Sequence, residues 1–135
     1  NRKTKTIAQA LQFINEITQD YHNNKSVTWG IIYKNEPHLI GTICLWNISE
    51  NNTIAEVGYG LNPAFQNKGI MTEALMCVID YGFKELKLIK IEAFTHYKNE
   101  SSKKLLEKTG FHFMENRKDQ DNDSNSIYEL LNSQS

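Results

Sequence analysis

Three runs of β-branched and aromatic residues follow one another between residues 27 and 61, and the segments between them are short. Val27 to Tyr33, His38 to Trp46 and Thr53 to Leu61 each read as a strand. Lys34-Asn35-Glu36-Pro37 and Asn47 to Asn52 read as turns, the first because proline presets its own φ and cannot donate to a ladder. A parallel connection needs a crossover of a dozen residues or more, so these spacings force an antiparallel meander. The pattern then changes. Asn62-Pro63 breaks the third strand, a polar loop runs to Gly69, and from Met71 the apolar residues Leu75, Val78, Ile79, Tyr81, Phe83 and Leu86 fit a helix with a broad buried face. Ile89 to Thr95 alternates as a strand, with Ile89, Ile91 and Ala93 on one face. A helix therefore joins Thr53–Leu61 to Ile89–Thr95, and those two strands are expected to pair in parallel.

The remaining segments fill out a mixed α/β domain over residues 1–135. Residues 6 to 21 read as an amphipathic helix, with Ile7, Ala10, Leu11, Ile14, Ile17 and Tyr21 at three- and four-residue spacing. Thr6 and Gln9 mark its start as a capping box, and Asn23 and Asn24 end it. A further helix is expected from about Ser101 to Lys108, capped by Gly110. Phe111 to Glu115 and Ile127 to Leu131 read as two last strands around a polar, mobile hairpin loop, residues 116–126.

Composition narrows the function classes. Apolar residues make up 39% and aromatics 10%, enough to pack a core, so disorder is excluded. No stretch nears the ~18 apolar residues of a membrane helix. Lys and Arg number 15 against 16 Asp and Glu, which argues against a nucleic-acid partner. Any anionic ligand must then be held by local geometry. Cys44 and Cys77 lack metal or redox spacing and read as free thiols of a reducing cytoplasm. No signal peptide is visible, and Asn1 stands where a Met would begin a chain, so the true start is expected to lie upstream.

The strongest chemical signal is Gln66-Asn67-Lys68-Gly69-Ile70-Met71-Thr72, between a strand and a long helix. The first N–H groups of a helix lack internal partners, and its dipole adds positive charge there. A pyrophosphate can accept those bonds if the backbone comes close, and Gly69 has no Cβ to obstruct it. Lys68 adds a charge and Thr72 a hydroxyl. An ordinary strand–helix turn would look the same. Neither a Walker loop nor a dinucleotide fingerprint is present.

Gln66-x-x-Gly69-x-Met71 resembles the acyl-coenzyme A loop of the GNAT N-acetyltransferases, Arg/Gln-x-x-Gly-x-Gly/Ala. Met71 departs from that pattern, but Gln-x-x-Gly-Ile-Met-Thr/Ser-x-Ala is similar to its RimJ/RimL type, which acetylates protein N-termini. Asn99-Glu100-Ser101-Ser102, continuing to Gly110-Phe111, is similar to the family's Asn-x-x-Ser/Ala helix. Ala55-Glu56-Val57-Gly58-Tyr59 resembles its Ala-Glu-Ile-Gly-Tyr strand. The resemblance covers residues 6 to 131. It implies a mostly antiparallel sheet with helices on both faces and a splayed parallel strand pair, preceded in the family by a strand and helix that are expected to be missing from residues 1–135.

The resemblance implies acetyl transfer from acetyl-coenzyme A, without a metal, to a primary amine. That amine is expected to be a protein or peptide N-terminus, a ribosomal protein being one case. A polyamine or aminoglycoside is the alternative, as is a module that binds acyl-coenzyme A without turnover. A homodimer is compatible with the resemblance. Backbone near Tyr59, Gly60 and Leu61 is expected at the thioester, the pyrophosphate on residues 66 to 72, Asn99 on the pantetheine arm and Lys103 near a phosphate. Glu56 is the candidate general base, or else a paired structural carboxylate. Gly58 and Gly60 leave its face of the strand bare. Many relatives place a tyrosine where Leu106 stands, and Leu106 has no proton, so Ser102 is the candidate acid, with Ser101 its competitor. Asn99 also reads as a plain helix cap. Trp29 and Trp46 read as core or cleft residues, and with Tyr33 and Tyr59 they are the aromatics available for the wall of a peptide cleft. The four histidines lack metal spacing, and Asp119 to Asp123 lacks the glycine and distal glutamate of a calcium loop, so it reads as a solvated hairpin.

Overall fold

The computed structural model describes residues 11–19, 25–33 and 38–133. The meander forms as its short turns require. β2 (Lys25–Ile32), β3 (Leu39–Trp46) and β4 (Ile54–Leu61) pair antiparallel, with Trp29 opposite Ile43 and Ile43 opposite Tyr59. Opposed residues share a face. Val27, Trp29, Ile31, Ile43, Leu45, Ala55 and Val57 therefore make one apolar surface, and all are buried.

Helix α1 (Ile70–Lys84) covers that surface with Ile70, Ala74, Leu75, Val78 and Gly82. A Cβ at Gly82 would stand 3.1 to 3.2 Å from Leu88, Ile91 and Leu45, so the helix lies close on the sheet where it has no side chain. Tyr81 meets Trp29 edge-on at 5.2 Å. The chain returns as β5 (Lys90–His96), parallel to β4 as the helical crossover demands. Their register runs only from Ile54–Lys90 to Glu56–Glu92, and beyond it the two strands pair only with their outer neighbours, β3 and β7.

Helix α2 (Glu100–Lys108) buries Ser102 and Leu106. It ends in a Schellman turn: Phe111 N–H donates to Leu106 O at 2.9 Å, Gly110 N–H donates to Glu107 O at 3.1 Å, and Gly110 takes φ 104°. β6 (His112–Phe113) and β7 (Asn125–Leu131) complete a seven-stranded sheet in the order β1-β2-β3-β4-β5-β7-β6.

Three expectations need correction. The segment read as a helix is a strand, β1 (Leu11–Gln19), antiparallel to β2 with an irregular register between Gln12 and Glu16. The open edge of β2 offers unpaired N–H and C=O groups, and pairing along it overrides the helical spacing. Thr6, Gln9, Tyr21, Asn23, Asn24 and the turn at 34–37 lie outside the described residues. Among the described residues, α1 and α2 both lie against the surface that carries Trp29 and Tyr59. Ile89 precedes β5 and is 48% exposed, while Ile91 and Ala93 are buried as read. The strand expected over 111–115 is only β6, because the chain turns at Met114, whose carbonyl accepts from Arg117 N–H at 3.1 Å. The loop that follows bonds to itself. Asp119 accepts from Asp121 N–H and from Asn125 Nδ2, each at 3.0 Å, and these bonds hold its carboxyl below the usual range.

Candidate active site

The loop from β4 to α1 is shaped by short-range bonds. Asn62 Oδ1 caps a single 3-10 turn, Pro63–Phe65, through Ala64 N–H at 3.0 Å. Gln66 Nε2 donates back to Leu61 O at 3.1 Å, folding the loop against the end of β4. Asn67 and Gly69 take left-handed φ of 63° and 79°, which tip the backbone into α1. Gly69 is the N-cap and supplies no side-chain bond. Glu73 N–H is bonded to Gly69 O at 3.2 Å, so the N–H groups of Ile70, Met71 and Thr72 lie ahead of the first bonded one. Nothing within 4 Å would meet a Cβ at Gly69, and the approach to those donors is open.

A second helix N-terminus faces the same space. Asn99 Oδ1 accepts from Ser102 N–H at 3.1 Å, so the cap reading of Asn99 holds. Ser102 Oγ and Tyr59 Oη are 2.7 Å apart, tying α2 to the end of β4. Ser102 is buried, and burial pushes the Tyr59 phenol above its ordinary 10.0, partly offset by the bond to Ser102. Between the two helix starts and β4 lies a cleft of about 750 Å³. Tyr59, Gly60, Leu61, Gln66, Asn67, Gly69, Ile70, Met71, Thr72, Asn99, Ser101 and Ser102 line it. Among the described residues no cluster has the makeup of a metal site. No helix among them is long and apolar enough to cross a membrane.

Residues 1–112 match the acetyltransferase (GNAT) domain family. The chain belongs to the GNAT family. The protein named "Probable N-acetyltransferase YjcK" of Bacillus subtilis is 41% identical over 100 residues, covering 73% of this chain and 55% of YjcK. Among solved structures, the ribosomal-protein-S5-alanine acetyltransferase of Vibrio fischeri aligns with TM-score 0.72 and 30% identity, over 80% of this chain and 62% of that one. A spermidine N-acetyltransferase chimera from Vibrio cholerae and hSSAT shares the fold at TM-score 0.66 and 23% identity, over 78% of this chain and 65% of that one. The chain thus spans little more than half of YjcK.

Three of the candidate site residues stand outside the cleft lining. Lys68 Nζ lies over the Phe65 ring at 5.7 Å and outside the cleft lining. Lys103 also misses it, because its Nζ donates to Tyr97 O at 3.2 Å and meets Glu100 at 3.4 Å. Lys104 and Lys108 line the cleft instead, along with Leu105. Helical spacing could have found them, since 101, 104, 105 and 108 share one face of α2. Glu56 lies across the sheet from Tyr59, three residues away along β4. It accepts from Asn47 Nδ2 at 2.7 Å. Burial holds its carboxyl above the ordinary 4.5, Asn47 opposes this, and Glu92 and Asp119 add to the rise.

Two aromatics are decided by the structure. Trp29 is 2% exposed, so of its core and cleft readings the core one holds. Tyr59, named from the sequence for its backbone and as a wall, brings a hydroxyl to Ser102 that sequence reasoning missed. Its parity was the available signal: it alternates with Glu56, Gly58 and Gly60, so it had to face the helices.

Proposed function

We propose that this GNAT chain carries the cofactor half of an enzyme that moves an acetyl group from acetyl-coenzyme A to a primary amine, a protein or peptide N-terminus. The carrying observation is the parting of β4 from β5 after Glu56–Glu92, next to the Tyr59–Ser102 hydroxyl pair and the uncapped start of α1. In this reading the N–H groups of residues 69 to 72 hold the pyrophosphate, and Lys104 and Lys108 add positive charge on the facing helix. Asn62 N–H donates to Ile40 O at 2.7 Å. Alternation along β4 then turns the backbone of Gly60 toward β3 and that of Tyr59 and Leu61 into the gap. An N–H there stabilises the oxyanion that forms when the amine attacks the thioester carbon. Glu56 takes the amine proton through water, from the face opposite the hydroxyls. As the C–S bond breaks, Ser102 gives a proton to the leaving thiolate and Tyr59 resupplies it.

Magnitude favours an N-terminal amine. At neutral pH, deprotonating an α-amino group costs about 1 kcal/mol and a lysine about 4.6 kcal/mol. A half-buried carboxylate is base enough for the first. The RimJ/RimL-like motifs and the ribosomal-protein neighbour support the same choice. The spermidine enzyme's shared fold raises the polyamine reading, which wants several uncommitted carboxylates. Glu92 and Glu129 are already engaged by Lys90 and Arg117. The deciding measurement is thiol release from acetyl-coenzyme A with N-terminal peptides, spermidine and an aminoglycoside. Faster release with peptides is expected. A preference for spermidine would overturn the substrate, and binding without release on any amine would overturn the enzyme.

A further inference from the structure

On the face of the sheet away from both helices, four charged side chains form a closed set. Lys90 Nζ meets Glu92 at 3.2 Å and Glu129 at 3.3 Å. Arg117 reaches in from the β6–β7 loop and donates to Glu92 Oε2 at 2.6 Å and to Glu129 Oε2 at 2.5 Å. The carboxylates are 13% and 14% exposed. Glu92 and Glu129 are opposed on neighbouring strands, and Glu92 is the register partner of Glu56. Three carboxylates thus stand in a row across β4, β5 and β7, and the two cations bind only Glu92 and Glu129, leaving Glu56 at the end of the row without one. Without Arg117, Lys90 alone would serve Glu92 and Glu129, and one uncompensated negative charge would stand beside Glu56.

The groups around Glu56 can be named element by element. Trp46 is its partner on β3, and Cys44 lies further along that strand. Asn47 donates to it from the turn. Glu92 and Lys90 come from β5, Glu129 from β7, and Arg117 and Asp119 from one loop. Arg117 is the cation that this loop bonds into the row.

We infer that Arg117 is a positioning residue for Glu56: it clamps Glu92 to Glu129, cancels the charge beside the base, and docks the β6–β7 loop against the acceptor face. This rests on the reading of Glu56 as base. Arg117 itself touches neither cofactor nor amine. Its effect travels through Glu92, so it must appear in the protonation of Glu56 and not in cofactor affinity, because the cofactor cleft lies against the opposite face.

The test is a carbon-13 carboxyl titration of Glu56 by NMR, which needs no amine substrate, with the signal assigned by its loss in Glu56→Gln. Arg117→Gln should raise the Glu56 midpoint by roughly 0.5 to 1 unit. Arg117→Lys should recover most of that rise, and Glu92→Gln should lower the midpoint. The double variant Arg117→Gln with Glu92→Gln should return close to the parent. Coenzyme A affinity should stay unchanged throughout, which also checks folding. An unmoved midpoint in Arg117→Gln, or no recovery in the double variant, overturns the inference while leaving Glu56 as base. The acid limb of thiol release with a peptide is the second readout. It should follow the midpoint in Arg117→Gln and vanish in Glu56→Gln. A limb that survives Glu56→Gln overturns the base and, with it, the role given to Arg117.

Discussion

At Gly69 two costs of substitution can be separated. Its φ of 79° disfavours any L side chain, yet a Cβ there meets nothing. Gly69→Ala should therefore lose about 1–2 kcal/mol of stability from backbone strain, read as a lower denaturation midpoint, while keeping most coenzyme A affinity. Gly69→Asp carries the same strain and adds a carboxylate facing the pyrophosphate. Calorimetry should show its affinity falling well below that of the alanine variant. Equal affinities would mean that residues 69 to 72 do not hold the phosphates. Ser102 and Tyr59 make a second pair of tests. Ser102→Ala and Tyr59→Phe should each cut turnover by about 10²-fold with little change in cofactor binding, and the double variant should be no worse than the poorer single one if the two hydroxyls act as a relay. The loop and Ser102 were legible because motif and spacing name the residues. The Tyr59 hydroxyl was not, since nothing in a local motif says that two residues separated by α1 and β5 will meet. The side of α2 on which Lys103 falls was not legible either. Choosing among adjacent lysines requires the helix phase, which a 100° step per residue changes completely.

Among the elements, α1 shows how much packing a sequence pattern can carry. Its buried positions Leu75 and Val78 follow the apolar stripe, and the period alone places them. Gly82 carries no such mark, although the closest approach of helix to sheet occurs there. Gly82→Val should cost about 1–3 kcal/mol from overpacking against Leu45, Leu88 and Ile91, despite valine's better helix propensity. A denaturant midpoint at or above the parent would show that those side chains can yield. β1 illustrates the opposite limit. Leu11, Ile14 and Ile17 fit a helical period, but a period is a local statement and the edge of β2 is not. The meander, the crossover and the parallel pair were all readable, because loop length fixes them by geometry.

For the whole molecule, the acceptor face carries a stability cost that depends on pH. The Glu56 carboxyl binds its proton more tightly in the folded protein than in the unfolded chain. Below its ordinary 4.5 both states are protonated and nothing is lost. As pH rises from there through the raised folded value, the unfolded chain releases its proton first, and stability falls. Glu56→Gln keeps an acceptor for Asn47 and removes the titration. Thermal melts should show this variant more stable than the parent near neutral pH and indistinguishable from it at about pH 3.5. A gain of equal size at both pH values would point to packing instead of charge.

The short register between β4 and β5 also has a mechanical meaning. A seam that runs only from Ile54–Lys90 to Glu56–Glu92 leaves the four-stranded and three-stranded parts of the sheet joined like two leaves of a partly opened book, with α1 as the spine. The pantetheine arm carries two amides, and lying in the gap it would act as the missing rung between the leaves. Backbone amides on both inner margins, Tyr59 and Leu61 on one and Phe94 and His96 on the other, should then exchange with deuterium faster in the free protein than with coenzyme A bound. Slowing on both margins together, rather than on one, would mean that cofactor capture stiffens the sheet across its weakest line, so the thioester arrives and the scaffold around it becomes rigid in a single event.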